Sequence, residues 1–117
     1  MVLDDPRLSK RARRAVERAE LLSYSIASFW EIALKLSKPG FDFPLPDQWD
    51  QELARELAAI GARRLQIEPQ HCRRLQDLDW HHKDPFDRLL ISQALVENLI
   101  VVTSDSRFSD YRIQVVW

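Results

Sequence analysis

Apolar residues recur along this chain at two different periods, and the alternation between them sets the expected architecture. Asp5-Pro6 opens a helix, with the aspartate as cap and the proline at the first helical position, where its missing N–H costs nothing. Leu8, Ala12, Ala15, Val16 and Ala19 follow at helical spacing as a narrow apolar stripe. Residues 21–26 read as a short strand. Ser28, with Glu31 three positions on, reads as a capping box opening a helix that runs to about Ser37 and stops before Pro39-Gly40. Pro44 and Pro46 mark a loop. Asp47 is the expected cap of an amphipathic helix carrying Trp49, Leu53, Leu57 and Ile60, and Gly61 stands where a glycine C-cap belongs.

Residues 64–67 form the next short strand, and Pro69 starts a helix bearing His71, Leu75 and Leu78. After a polar and aromatic loop at 79–83, Asp84-Pro85 opens the most apolar helix, through Leu89, Leu90, Ile91, Ala94, Leu95 and Val96. Residues 99–103 are a continuous apolar run of the buried-strand type. Residues 104–110 make a turn or one helical turn, and 113–117 close the chain as a strand. Helices alternating with short buried strands imply an α/β fold in three layers, a parallel sheet flanked by helices. Ligands of such sheets bind beyond the carboxyl ends of the strands. That rule selects the segments 28–31, 84–87 and 104–105.

Composition narrows the class. A chain of 117 residues is read as a single domain, 1–117, and 45% hydrophobic with 30% charged residues suits a folded protein rather than a disordered one. Cys72 is the sole cysteine, which excludes an intrachain disulfide and a cysteine-rich zinc site. No stretch is long and apolar enough to cross a membrane, and the expectation is a cytoplasmic protein. The net charge of −1 makes any attraction to nucleic acid a matter of local asymmetry. Such asymmetry exists. Arg7, Lys10, Arg11, Arg13, Arg14 and Arg18 face only Glu17, whereas acids gather later at Asp77, Asp79, Asp84, Asp87, Asp105 and Asp110. Arg7, Arg11, Arg14 and Arg18 share a helix face, either a solvated surface or a stripe contacting phosphate, and the sequence leaves both readings open.

Each acid has a structural explanation when taken alone. Glu31 closes a box, Asp84 caps a helix, Asp87 is a first-turn acid favoured by the helix dipole, and Asp105 caps a turn. Together they suggest more. Carboxylates gathered at one sheet edge repel one another unless a cation lies between them, and hard oxygen ligands suit Mg²⁺ or Mn²⁺. Such ions activate water against a phosphodiester.

The motifs are also recognisable. Ser25-Ile-Ala-Ser-Phe-Trp-Glu31-Ile-Ala-Leu-Lys35 closely resembles the first internal motif of PIN-domain proteins, and most of all of the VapC-type toxins of bacterial toxin–antitoxin pairs. His81-His-Lys-Asp84-Pro-Phe-Asp87-Arg-Leu-Leu-Ile-Ser-Gln-Ala94 resembles the second. Val101-Val-Thr103-Ser-Asp105-Ser-Arg-Phe108 resembles the third. Asp4-Asp5-Pro6-Arg7-Leu8-Ser9 is similar to the segment that follows the family's first strand. The resemblance covers essentially the whole chain. It implies a Mg²⁺- or Mn²⁺-dependent endoribonuclease whose metal-binding and catalytic acids are Glu31, Asp87 and Asp105. Asp84 is then a nearby helix cap, while Lys35, Arg88, Arg11 and Arg14 are candidate RNA contacts, with surface ion pairing the stronger reading for Arg88. RNA, a cognate antitoxin and a second copy of the chain are the implied partners.

The family pattern opens with a hydrophobic strand ending in an aspartate, usually the first metal ligand, and this sequence begins at the segment after it. The expectation is an N-terminally truncated PIN-like fold, a weakened metal site, and an open sheet position that favours a homodimer or an exchanged element. A start codon placed too late is the other explanation. Reduced catalysis follows from the first account, and so do the competing functions of a non-catalytic module binding RNA or protein and of a structural homodimer. Phe29, Trp30, Trp49 and Trp80 are expected in core and interface packing rather than in base stacking.

Overall fold

The short polar side chains of this sequence decide where its helices begin. In the computed structural model, which describes residues 9–40, 44–81 and 83–117, Ser9 caps the first helix, its Oγ accepting from the Ala12 N–H at 3.0 Å. This helix, α1, spans Lys10–Arg18 and buries Ala12 and Val16 from the expected stripe. The start anticipated at Asp5-Pro6 lies, with Leu8 and Arg7, outside the described residues.

Strand β1 is Ser23–Ser25, and Ser25 ends it by capping α2, Ile26–Leu36, through an Oγ that accepts from the Ala27 N–H at 3.1 Å. The cap therefore stands three residues ahead of Ser28, and the box anticipated at Ser28 and Glu31 does not form. An extended residue at a strand end is already in the backbone conformation a cap requires, so the first serine takes the role. Glu31 falls in the second turn instead.

Helix α3 is Trp49–Ala59, with Gln48 rather than Asp47 at its N-cap and no side-chain cap bond. Gly61 follows with φ +78°, the left-handed conformation that terminates helices, and the Ala62 N–H reaches back to Leu57 O at 2.9 Å. Strand β2, Arg63–Leu65, leads to α4, Pro69–Gln76, and after the loop to α5, Pro85–Glu97. Asp84 caps α5 as expected, accepting from Phe86 N–H at 2.9 Å and Asp87 N–H at 3.2 Å. Asn98, at φ 55°, ends it. Strand β3 is Val101–Val102, a 3-10 turn covers Ser106–Asp110, and β4 is Val115–Val116.

All pairing is parallel, as expected, but among the described residues it falls into two two-stranded sheets. β1 pairs with β2, Ser25 opposite Leu65, and β3 pairs with β4, Val102 opposite Val116. Helix α5 serves both. Its Ile91, with Leu90 and Leu95 beside it, packs with Leu78, Phe108 and Tyr111 and with Val101 and Val115 of the β3–β4 sheet. On the other side the Gln93 amide accepts from Ser25 Oγ at 2.6 Å and donates to Gln66 O at 3.2 Å, tying α5 to β1 and to the end of β2. Burying a polar amide without partners is costly, so this bridge fixes the register of α5 against β1 and hence against α2.

The same logic explains Arg88. It is 5% exposed, and its guanidinium donates to Asp79 O (2.7 Å), Leu78 O (3.2 Å) and Tyr111 Oη (3.1 Å) beneath the Trp80 ring, 3.9 Å away. A chain of five helices and short parallel strands is the mixed α/β architecture anticipated for a PIN-like fold. No helix among the described residues is long and apolar enough to cross a membrane.

Candidate functional site

Two of the expected acids come from opposite ends of one structural unit, since α5 leads into β3 and β3 into the 3-10 turn. Asp87 lies in the first turn of α5, half-buried, one turn beyond the Asp84 cap. Asp105 caps the 3-10 turn just past β3, its Oδ1 accepting from the Arg107 N–H at 2.9 Å. Its carboxylate is then taken by the Arg107 side chain: Nε at 3.0 Å from Oδ1 and 3.2 Å from Oδ2, and Nη2 at 2.7 Å from Oδ2. Planar guanidinium and planar carboxylate meet along two edges, the stronger geometry for such a pair.

Arg107 also reports on the surrounding charge. Its pKa is raised, first by the hydrogen bond and charge of Asp105, then by the negative charges of Asp87 and Asp84. Three acids from two sequence segments thus act on one exposed cation. Glu31 is held separately, by Lys35 one turn along α2 at 3.2 Å. Lys35 is therefore paired with a candidate acid, and Arg88, expected at the surface, is committed to interior carbonyls. Sequence reading passed over Arg107, although its position two residues after a turn-capping aspartate puts the two side chains on one short turn.

Aromatic side chains border the acids. Trp30, which precedes Glu31, meets Phe86, which precedes Asp87, edge to face with ring centroids 4.9 Å apart. Phe29 packs with Trp49 and Tyr24 as expected of packing residues. Trp30 and Trp80 differ from that expectation, being 58% and 76% exposed. Each covers one partner, Phe86 or Arg88, and leaves its remaining surface to solvent.

A second feature lies at the sheet edge. Helix α1 packs against β4, and an open groove of about 530 Å³ runs between them, lined by Lys10, Arg11, Arg14, Ala15, Arg18 and Val116. Val116 pairs with Val102, so the groove borders the strand next to the one that delivers Asp105.

Comparison with protein families matches residues 1–114 to the PIN domain. The chain belongs to the PIN-domain family. PIN is a nuclease-type fold family whose members generally use divalent metal ions and suggest RNA as a partner. Comparison with curated proteins gives no match. Tested against that chemistry, the donors of this PIN domain suit a hard cation by type, being carboxylate oxygens. Their arrangement does not: among the described residues no three His, Cys, Asp or Glu side chains stand together as a metal-holding group. The two acids with printed ion pairs, Glu31 and Asp105, are instead neutralised by Lys35 and Arg107 of the chain itself.

Proposed function

We propose that this PIN domain is an endoribonuclease of the VapC toxin type, of low activity, in which Glu31, Asp87 and Asp105 are the working acids. The observation that carries the reading is the common field of Asp105, Asp87 and Asp84 on Arg107. Acids distant in sequence act at one place, beside a groove lined with cations. In this reading Arg11 and Arg14 hold the phosphate backbone in the α1–β4 groove, where counterion release favours binding. Asp84 keeps the first turn of α5 in place for Asp87.

Low activity follows from the electrostatics. An ion such as Mg²⁺ or Mn²⁺ has to compete with Arg107 for Asp105 and with Lys35 for Glu31, and no step is assigned to an ion that the present arrangement does not hold. One specific observation favours a second reading, a module that binds RNA without cutting it: Glu31 and Asp105 already have cationic partners. An antitoxin protein and a second copy of the chain are the proposed protein partners. Their support is the exposed apolar pair Trp30 and Leu34, 58% and 43% accessible and one turn apart on α2.

Cleavage of structured RNA in Mn²⁺, by this chain and by Asp87→Asn, separates the two readings. The endoribonuclease reading expects slow cleavage that Asp87→Asn abolishes. Equal residual cleavage by both proteins removes it.

A further inference from the structure

We infer that Arg107 is an exchangeable clamp, holding Asp105 in the free protein and moving to an RNA phosphate when substrate binds, so that RNA binding opens Asp105 to a divalent cation. The inference rests on the proposed RNA substrate and goes beyond it by coupling the two ligands.

Three observations carry it. The clamp is complete, since Nε and Nη2 of Arg107 engage both carboxylate oxygens of Asp105 at 2.7–3.2 Å. It is also accessible: the Arg107 side chain is 60% exposed and that of Asp105 is 28% exposed. An ion pair in that setting is weak and screened by salt, so a competing anion can displace it. Finally, clamp and acids share one locality, because Asp87 and Asp84 act on the same guanidinium.

A guanidinium fork fits the two free oxygens of a phosphodiester as well as it fits a carboxylate. A phosphate brought to this acidic face meets repulsion from the carboxylates and one cation able to receive it. When Arg107 turns to the phosphate, Asp105 loses its counter-ion, and its affinity for a hard divalent cation rises. Linkage makes the effect reciprocal, so the ion must tighten RNA binding by the same factor.

The test measures Mn²⁺ affinity by calorimetry for the intact chain and for Arg107→Gln, alone and with a 2′-O-methyl oligoribonucleotide that cannot be cleaved. The clamp predicts weak Mn²⁺ binding by the intact chain, tightened about fivefold or more by the oligonucleotide. Arg107→Gln should bind Mn²⁺ about fivefold tighter without the oligonucleotide and gain nothing when it is added. Arg107→Lys retains the charge but loses the fork, and should bind Mn²⁺ nearly as tightly as Arg107→Gln.

Equal Mn²⁺ affinity in the intact chain and Arg107→Gln overturns the clamp, as does a complete absence of binding in every form. Lysine behaving as arginine reduces Arg107 to background charge and overturns it too. Coupling that persists in Arg107→Gln overturns the exchange. These outcomes are independent of the cleavage comparison. If Asp87→Asn cuts as well as the intact chain, the nuclease reading fails while the Mn²⁺ data still decide the clamp.

Discussion

Arg88 shows how one side chain can determine the shape of a site without taking part in its chemistry. Its guanidinium ties the 78–79 segment to Tyr111, and the fragment it organises includes the first turn of α5, where Asp87 lies. Replacing it with methionine keeps much of the volume but leaves Tyr111 Oη and two carbonyls without their donor. We expect Arg88→Met to lower the unfolding free energy by about 3 kcal/mol, measured by urea denaturation. An unchanged midpoint would show that water or a neighbour takes over those bonds. The exposed pair Lys35–Glu31 is different in kind. At the surface such a pair contributes little to stability, so its interest lies in the charge of Glu31.

At the scale of elements, the bridge from Ser25 through Gln93 to Gln66 joins two strands to α5, and through them sets α2, with Glu31, against α5, with Asp87. Gln93→Leu removes both ends of the bridge and leaves the Ser25 hydroxyl with one partner fewer in a buried setting. A loss of about 1–3 kcal/mol is expected, with any RNA cleavage falling alongside it, because the relative placement of the two helices is what the bridge fixes. Full stability in Gln93→Leu would mean that apolar packing alone sets that placement. Gln93 also marks a limit of sequence reading. Periodicity identified α5 correctly, together with its Asp84 cap, its apolar character and its continuation into β3, because those features are local. Nothing local tells a glutamine amid Ile91 and Ala94 that it will be 1% exposed and bonded across 68 positions to Ser25. The displaced caps have the same origin. Ser25 and Ser28 are equivalent as residue types, and the end of β1 chooses between them.

For the whole molecule, the net charge of −1 conceals a division between a cationic groove and an acidic face. The sequence marked both halves, the basic helix and the later acids, but could not say how they lie. Their meeting depends on β4 pairing with β3, a contact made only after the chain has crossed the 3-10 turn. The same incompleteness applies to the site. Glu31, Asp87 and Asp105 could be read from motif and strand-end placement, while the cations that hold two of them required the fold. If the groove binds RNA, replacing both Arg11 and Arg14 with alanine should weaken binding at low salt and flatten the log–log salt dependence by about 1.4, two single-strand phosphate contacts' worth. An unchanged slope would assign those arginines to solvent.

Association is a separate property of the whole molecule. Trp30 and Leu34 leave apolar surface open on α2, and sedimentation equilibrium is expected to show a dimer that weakens when both are replaced by serine. A monomer across the accessible concentration range would leave that surface to the antitoxin alone. The central claim is that the acids of α2, α5 and the 3-10 turn act on RNA, and the cleavage of a structured RNA in Mn²⁺ tests it most directly. The account predicts slow cutting by the intact chain and none by Asp87→Asn, whereas the same rate of cutting by both proteins would contradict it.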